Sequence, residues 1–145
     1  MCVYQALLTQ DPQEGSFLVT FRDFPEVITQ GESADEAMAN AVDALNTAFI
    51  YRVLNGEPIP KPSQARAGEQ GVSIRTQVLL KFHIKQAMDK AEVSRTEMAL
   101  RMNLSESSIR RMLDLREPTK VERLECALLT LGQQPVVDFM PASVA

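Results

Sequence analysis

Residues 94–113 read SRTEMALRMNLSESSIRRML, and their spacing describes two short helices joined by a tight turn. Ser94 stands three residues before Glu97, the capping-box spacing in which side chains satisfy the free N–H groups of a helix start. Met98, Ala99 and Met102 give this helix an apolar face, and Ala99 is small where a second helix must cross closely. Asn103 occupies the bend, because asparagine enters the left-handed conformation that ends a helix more readily than most residues. Ser105 caps the next helix, on which Ile109, Met112 and Leu113 face inward while Glu106, Ser107, Arg110 and Arg111 face out. Outward serines and arginines suit phosphates and base edges, so the pattern points to duplex DNA. Helix pairs of this spacing also occur in bundles that never meet nucleic acid, and the flanking sequence therefore matters.

On the C-terminal side Pro118 and Thr119 close a loop, Thr119 and Glu122 have capping-box spacing, and Val121, Leu124, Leu128 and Leu131 recur at helical intervals up to Gly132. On the N-terminal side Val78, Leu79, Phe82, Ile84, Ala87 and Met88 make another amphipathic helix. The four helices together, over about residues 76–132, resemble lambda-repressor-type helix-turn-helix domains. In such domains the first turn of the second helix approaches the bases. That role falls here on Glu106, Ser107 and Arg111, with Arg95, Thr96, Ser108, Arg110 and Lys120 placed for phosphates. One such helix reads a half-site, so a homo-dimer or tetramer is expected. Val136, Val137 and Phe139, beyond the last helix, either form a strand between subunits or fold back over their own domain.

The chain holds 145 residues, and residues 56–71, GEPIPKPSQARAGEQG, divide it. That stretch holds three prolines and three glycines and too few apolar side chains for a core, so residues 57–71 are expected as an extended linker. The expected domains are thus 1–56, with a further strand at 72–74, and 75–145, a helical DNA-binding domain with its C-terminal tail. Charge changes sign between the halves. Residues 1–70 carry four Lys/Arg and ten Asp/Glu, a balance of −6, and residues 71–145 carry eleven and nine, a balance of +2. Phosphate contacts need local rather than total positive charge, and Arg95, Arg101, Arg110, Arg111, Arg116 and Lys120 supply it around the helix pair.

Several classes are disfavoured. No run approaches the ~20 apolar residues of a membrane span and no signal segment opens the chain, so a cytoplasmic protein without membrane contact is expected. Cys2 and Cys126 are far apart and His83 is the only histidine, which leaves zinc, serine-triad and cysteine-protease chemistry without partners. Neither a metal site nor a cofactor is expected.

The first domain reads as strands over 3–9 and 16–21 around the turn-forming DPQEG, a third strand over 27–30, and then a helix. Ser33 and Glu36 have capping-box spacing. Ala37, Met38, Ala41, Ala44, Leu45, Ala48 and Phe49 line one broad face down to Asn55 and Gly56, with alanines letting the helix lie close to a sheet. Val72–Ile74 returns as a further strand, giving a βββαβ order and an α+β fold. Residues 21–45, FRDFPEVITQGESADEAMANAVDAL, followed by IPKPS at 59–63, resemble the HicB antitoxin family in a TxGxSxxEAxxNAxxAL pattern and an IPxPS pattern in the same order. The resemblance spans residues 3–63, with Glu26-Val27 departing from a turn common in the family. The helical second domain resembles one of its two branches.

The resemblance implies a reduced ribonuclease H-like first domain and a type II toxin–antitoxin system. Its partner would be a HicA-type toxin, a small messenger-RNA-cleaving ribonuclease bound by the first domain, while the second domain binds operator DNA of its own operon. A toxin that grips RNA presents positive charge, and Asp23, Glu26, Glu32, Asp35, Glu36 and Asp43 oppose it, with the edge Asp23, Phe24, Pro25 and Glu26 expected to touch it first. Catalysis is not expected, because residues 3–9 carry no acidic residue to hold the metals of a nuclease and Asp11 falls in a turn. Two other classes fit parts of the sequence: a free-standing regulator whose first domain senses a small ligand, and a pure inhibitor whose helical tail only oligomerises.

Overall fold

The computed structural model describes residues 2–141. Residues 142–145, the end of the expected tail, lie outside the described residues. The chain forms two compact units, one running to Ile74 and the other Arg75–Phe139, with Met140 grouped with the first.

In the first unit, strands β1 (Val3–Gln10), β2 (Phe17–Phe21), β3 (Ile28–Gly31) and β4 (Glu69–Ser73) form one antiparallel sheet in the order β3-β2-β1-β4, and helix α1 (Ala34–Leu54) packs on one face. Alternation decides which side is buried. Tyr4 and Ala6 of β1, Val19 and Phe21 of β2 and Val72 of β4 point to α1, whose Ala37, Ala41, Leu45 and Phe49 meet them fully buried. The hairpin between β1 and β2 closes because Asp11 Oδ1 accepts the backbone N–H groups of Gln13 and Glu14 at 2.7 and 3.0 Å while Gly15 takes φ +71°. Ser33 Oγ accepts Glu36 N–H at 3.1 Å as the spacing predicts, but the Glu36 carboxylate turns to Glu32 N–H at 2.9 Å rather than to Ser33.

Composition foretells an extended course for residues 57–68 but not how firmly they are fastened. Tyr4 Oη donates to Pro60 O at 2.9 Å, Ser63 N–H donates to Asp23 Oδ2 at 2.8 Å, and Arg52 Nη1 donates to Pro58 O at 3.1 Å. Arg22 donates to Gln64 O at 2.8 Å and grips the Glu69 carboxylate at 2.6 and 2.8 Å, with Arg66 N–H on the same carboxylate at 2.8 Å. These bonds carry the chain to β4, which begins at Glu69 rather than at Val72.

Arg22 and the Arg66 N–H hold the Glu69 carboxyl down to about 2, from an ordinary 4.5. A depressed carboxyl contributes stability that is complete above its unfolded value and lost as pH falls through its folded one. Urea unfolding at stepped pH should therefore show stability falling between pH 4.5 and about 2. Glu69→Gln should flatten that segment, and parallel curves for variant and parent would refute the assignment.

In the second unit, helices α2 (Thr76–Lys90), α3 (Arg95–Met102), α4 (Glu106–Leu113) and α5 (Val121–Thr130) enclose a core of Ile84, Met88, Met98, Ala99, Ile109, Met112, Leu124, Ala127 and Leu128. Two sequence expectations need correction. Thr119 does not cap α5: the N-cap is Lys120, with φ −60° and ψ 135°, and no side chain bonds there, because the helix begins one residue later than the capping-box frame requires. On α2, Leu79 and Phe82 are only half-buried, and the core position between Val78 and Ile84 is taken by Lys81, which is fully buried. Its ammonium donates to the backbone carbonyls of Asp114, at 2.6 Å, and Glu117. Val136, Val137 and Phe139 do not cover their own unit but stay 87%, 66% and 89% exposed. No helix is long and apolar enough to cross a membrane among the described residues.

Candidate functional site

The pair α3–α4 is set by three local devices. Ser94 Oγ accepts Glu97 N–H and Ser105 Oγ accepts Ser108 N–H, each at 3.1 Å, so both helices begin with a side-chain cap. Between them Asn103 sits at φ 53° and ψ 48°, the left-handed conformation foreseen for it, and Leu104 N–H returns to Ala99 O at 2.9 Å. The Glu97 carboxylate does not close a capping box. It pairs with Arg101 one turn along α3.

Apolar and polar faces of α4 separate as the spacing predicts. Ile109, Met112 and Leu113 are buried, whereas Glu106, Ser107, Arg110 and Arg111 are exposed. Ser108 is half-buried, its N–H bonded to Ser105. Arg95 and Thr96 are exposed on the first turn of α3, and the Thr96 hydroxyl donates to Glu106 Oε1 at 3.1 Å. Arg95, Arg110 and Arg111 stand in no ion pair with another described residue, in contrast to Arg101 with Glu97 and Arg116 with Asp114. Unpaired guanidinium groups keep their donors available to an incoming anion. Beside α4, Arg111, Lys120 and Arg123 help line an open cleft of about 570 Å³. This cleft also meets the start of α5, whose first N–H groups have no side-chain cap and present the positive end of a helix.

Behind this face, Lys81 and Gln77 tie the loop after α4 from the α2 side, since Gln77 Nε2 also donates to Glu117 O, at 2.7 Å. Burial pushes the Lys81 ammonium below lysine's ordinary pKa, while Asp114 and Glu117 oppose that shift. Sequence periodicity gave no sign of this residue, because a lysine at a core position looks like a break in the apolar pattern.

The first unit places its expected contact residues unequally. Phe24 is fully buried, in a T-shaped pair with Tyr4 at 4.8 Å between ring centroids, with the Arg52 guanidinium over its ring 4.6 Å from the centroid. Asp23 is half-buried and spends both carboxylate oxygens on Ser63. Pro25 and Glu26 are exposed, and Arg52 clamps Glu26 in a two-pronged pair at 2.7 and 2.9 Å that holds its carboxyl below the usual range. Glu32, Asp35, Glu36 and Asp43 are exposed as well. Glu32 and Glu36 share an open cleft with Glu14, which lies in the DPQEG turn. No group of three or more His, Cys, Asp and Glu side chains is arranged to hold a metal ion among the described residues.

The family described as the HicB-like antitoxin of bacterial toxin–antitoxin systems matches residues 3–83. Antitoxin HicB of Escherichia coli is 34% identical over 131 residues, which cover 90% of this chain and 94% of that protein. Antitoxin HicB 1 of Photorhabdus laumondii is 33% identical over 128 residues, 88% of this chain and 81% of its own length. Antitoxin HicB of Pseudomonas fluorescens is 26% identical over 134 residues, 91% of each. With the α+β first unit carrying the matched pattern, and similarity to these antitoxins running on through the helical unit, the chain belongs to the HicB-like antitoxin family of bacterial toxin–antitoxin systems.

Proposed function

We propose that this antitoxin neutralises a HicA-type ribonuclease toxin through its first unit, and that it represses its own operon by binding operator DNA through α3 and α4 as a dimer or tetramer in the cytoplasm. The observation that carries the DNA half is the outward face of α4, where Ser107, Arg110 and Arg111 stand exposed and the arginines form no ion pair with a described residue. Arg111 and Ser107 face bases with Glu106, while Arg95, Ser108, Arg110 and Lys120 meet phosphates on either side. Exposed Pro25 and Glu26 form the toxin-facing edge, and Asp23 and Phe24 hold it from behind. The proposed activity is binding and requires no cofactor.

Arg111→Ala should weaken binding to duplex from the chain's own promoter region by ~1–3 kcal/mol and relax preference at one base pair. Arg95→Ala should weaken all duplexes about equally and reduce the dependence on salt. Mobility shifts over a salt series measure both. If neither change alters binding, α4 is not the reading head. Co-purification with the product of the adjacent gene tests the toxin half, and a partner that stays with the chain after Glu26→Lys and Pro25→Asp would place its contact elsewhere.

A further inference from the structure

The first turn of α4 carries a carboxylate on a surface otherwise suited to phosphates. Glu106 is exposed, beside Ser107 and on the helix that bears Arg110 and Arg111, yet it forms no ion pair with a described residue. Its partner is the Thr96 hydroxyl, which donates to Oε1 at 3.1 Å. Thr96 is a well-placed donor because its branched side chain has few χ1 rotamers and α3 is locked against α4 through buried Met98, Ala99, Ile109 and Met112. A hydroxyl has one proton, so a threonine that gives it to Glu106 has none for a phosphate oxygen. The phosphate role expected for Thr96 from sequence is therefore replaced by another.

We propose that Thr96 is a positioning residue that holds Glu106 as an acceptor for the exocyclic amino group of cytosine, and so sets the sequence preference at one base pair of the bound duplex. This rests on the DNA-binding reading above. A carboxylate only accepts hydrogen bonds, and the major groove offers donors at cytosine N4 and adenine N6 alone. Adenine sets its amino group next to the N7 acceptor, which repels the second carboxylate oxygen. Guanine and thymine present acceptors, and the carboxylate disfavours both. Cytosine is left as the base that offers Glu106 a donor and sets no acceptor of its own beside it. The Thr96 bond occupies one acceptor position of about four on the carboxylate and leaves the others to the base.

The test uses the full-length chain and a pool of duplexes with a randomised core of about 20 base pairs, long enough for two half-sites one turn apart. The selected duplex and its single-base variants are then titrated with the parent, Thr96→Val, Thr96→Ser and Glu106→Gln. The parent should prefer cytosine at one position of each half-site by about 10-fold or more. Thr96→Val keeps the branched shape but removes the donor, and should cut that preference to within about 3-fold while leaving every other position and a scrambled duplex unchanged. Thr96→Ser should restore it, and Glu106→Gln should move the preference toward adenine, which glutamine pairs in two-pronged fashion. Thr96→Val that retains the full preference, or that weakens all duplexes in parallel, overturns the proposal while the DNA reading stands. A parent that enriches no duplex overturns both.

Discussion

Gly31→Ala is expected to cost about 3 kcal/mol, at the upper end of what overpacking a filled site does. A methyl group at this position would stand 2.4 Å from the backbone N of Ala37, 2.8 Å from its Cα and 2.9 Å from the carbonyl carbon of Glu36. All three are backbone atoms of the first turn of α1, so no side chain can swing aside. Gly31 is also held from the other direction by its register with Phe17 in the sheet. The helix start must lift, and Ala37 and Ala41 lose their contact with the strands. A fall in the urea midpoint together with faster amide hydrogen exchange in α1 would measure this, and an unchanged midpoint would show that the close approach is not required.

Lys81→Ala is expected to cost a similar amount, about 3 kcal/mol, in the second unit. Two effects add: the carbonyls of Asp114 and Glu117 each lose a charged donor, a bond worth roughly 1.5–3 kcal/mol, and a cavity opens where the stem lay. One effect opposes them, because removing a buried ammonium also removes its desolvation cost. Neither carbonyl is left bare, because Gln77 still serves Glu117 O and the Glu117 N–H, at 3.2 Å, still serves Asp114 O. Lys81→Met separates these contributions by keeping most of the volume without the donors. It should recover only part of the loss, and exchange at Arg116 and Glu117 amides should remain fast. A methionine variant as stable as the parent would show that packing, rather than the ammonium bonds, holds the loop.

Much of this fold was legible because its local signals agree with its tertiary contacts. Ser33, Ser94 and Ser105 cap the helices their spacing announces, Asn103 adopts the predicted left-handed turn, and the strands around DPQEG pair as the hairpin the turn residues suggest. Failures fall where a polar group does work that periodicity cannot express. Lys81 occupies a core position because backbone carbonyls wait there, and residues 57–68 look like free linker because their attachments are made by side chains distant in sequence, Tyr4, Arg22, Asp23 and Arg52. Glu92 takes φ 53° after α2, a conformation usually left to glycine, and the sequence does not announce it. At the proposed reading head the spacing marks the exposed residues, whereas the bond from Thr96 to Glu106 joins side chains of two helices and has no signature in the sequence.

The placing of β1 between β2 and β4 also sets an order of assembly. Val3 pairs with Ser73, so this inner strand of the first unit has its second neighbour only after about half the polypeptide has left the ribosome. Until then one edge of β1 is bare, a row of unpaired amides and carbonyls open to addition by a neighbouring nascent chain. Ring closure over that distance slows the sheet, whereas the helices that follow draw on nearer contacts and complete themselves quickly. The protein thus begins with the half that finishes last.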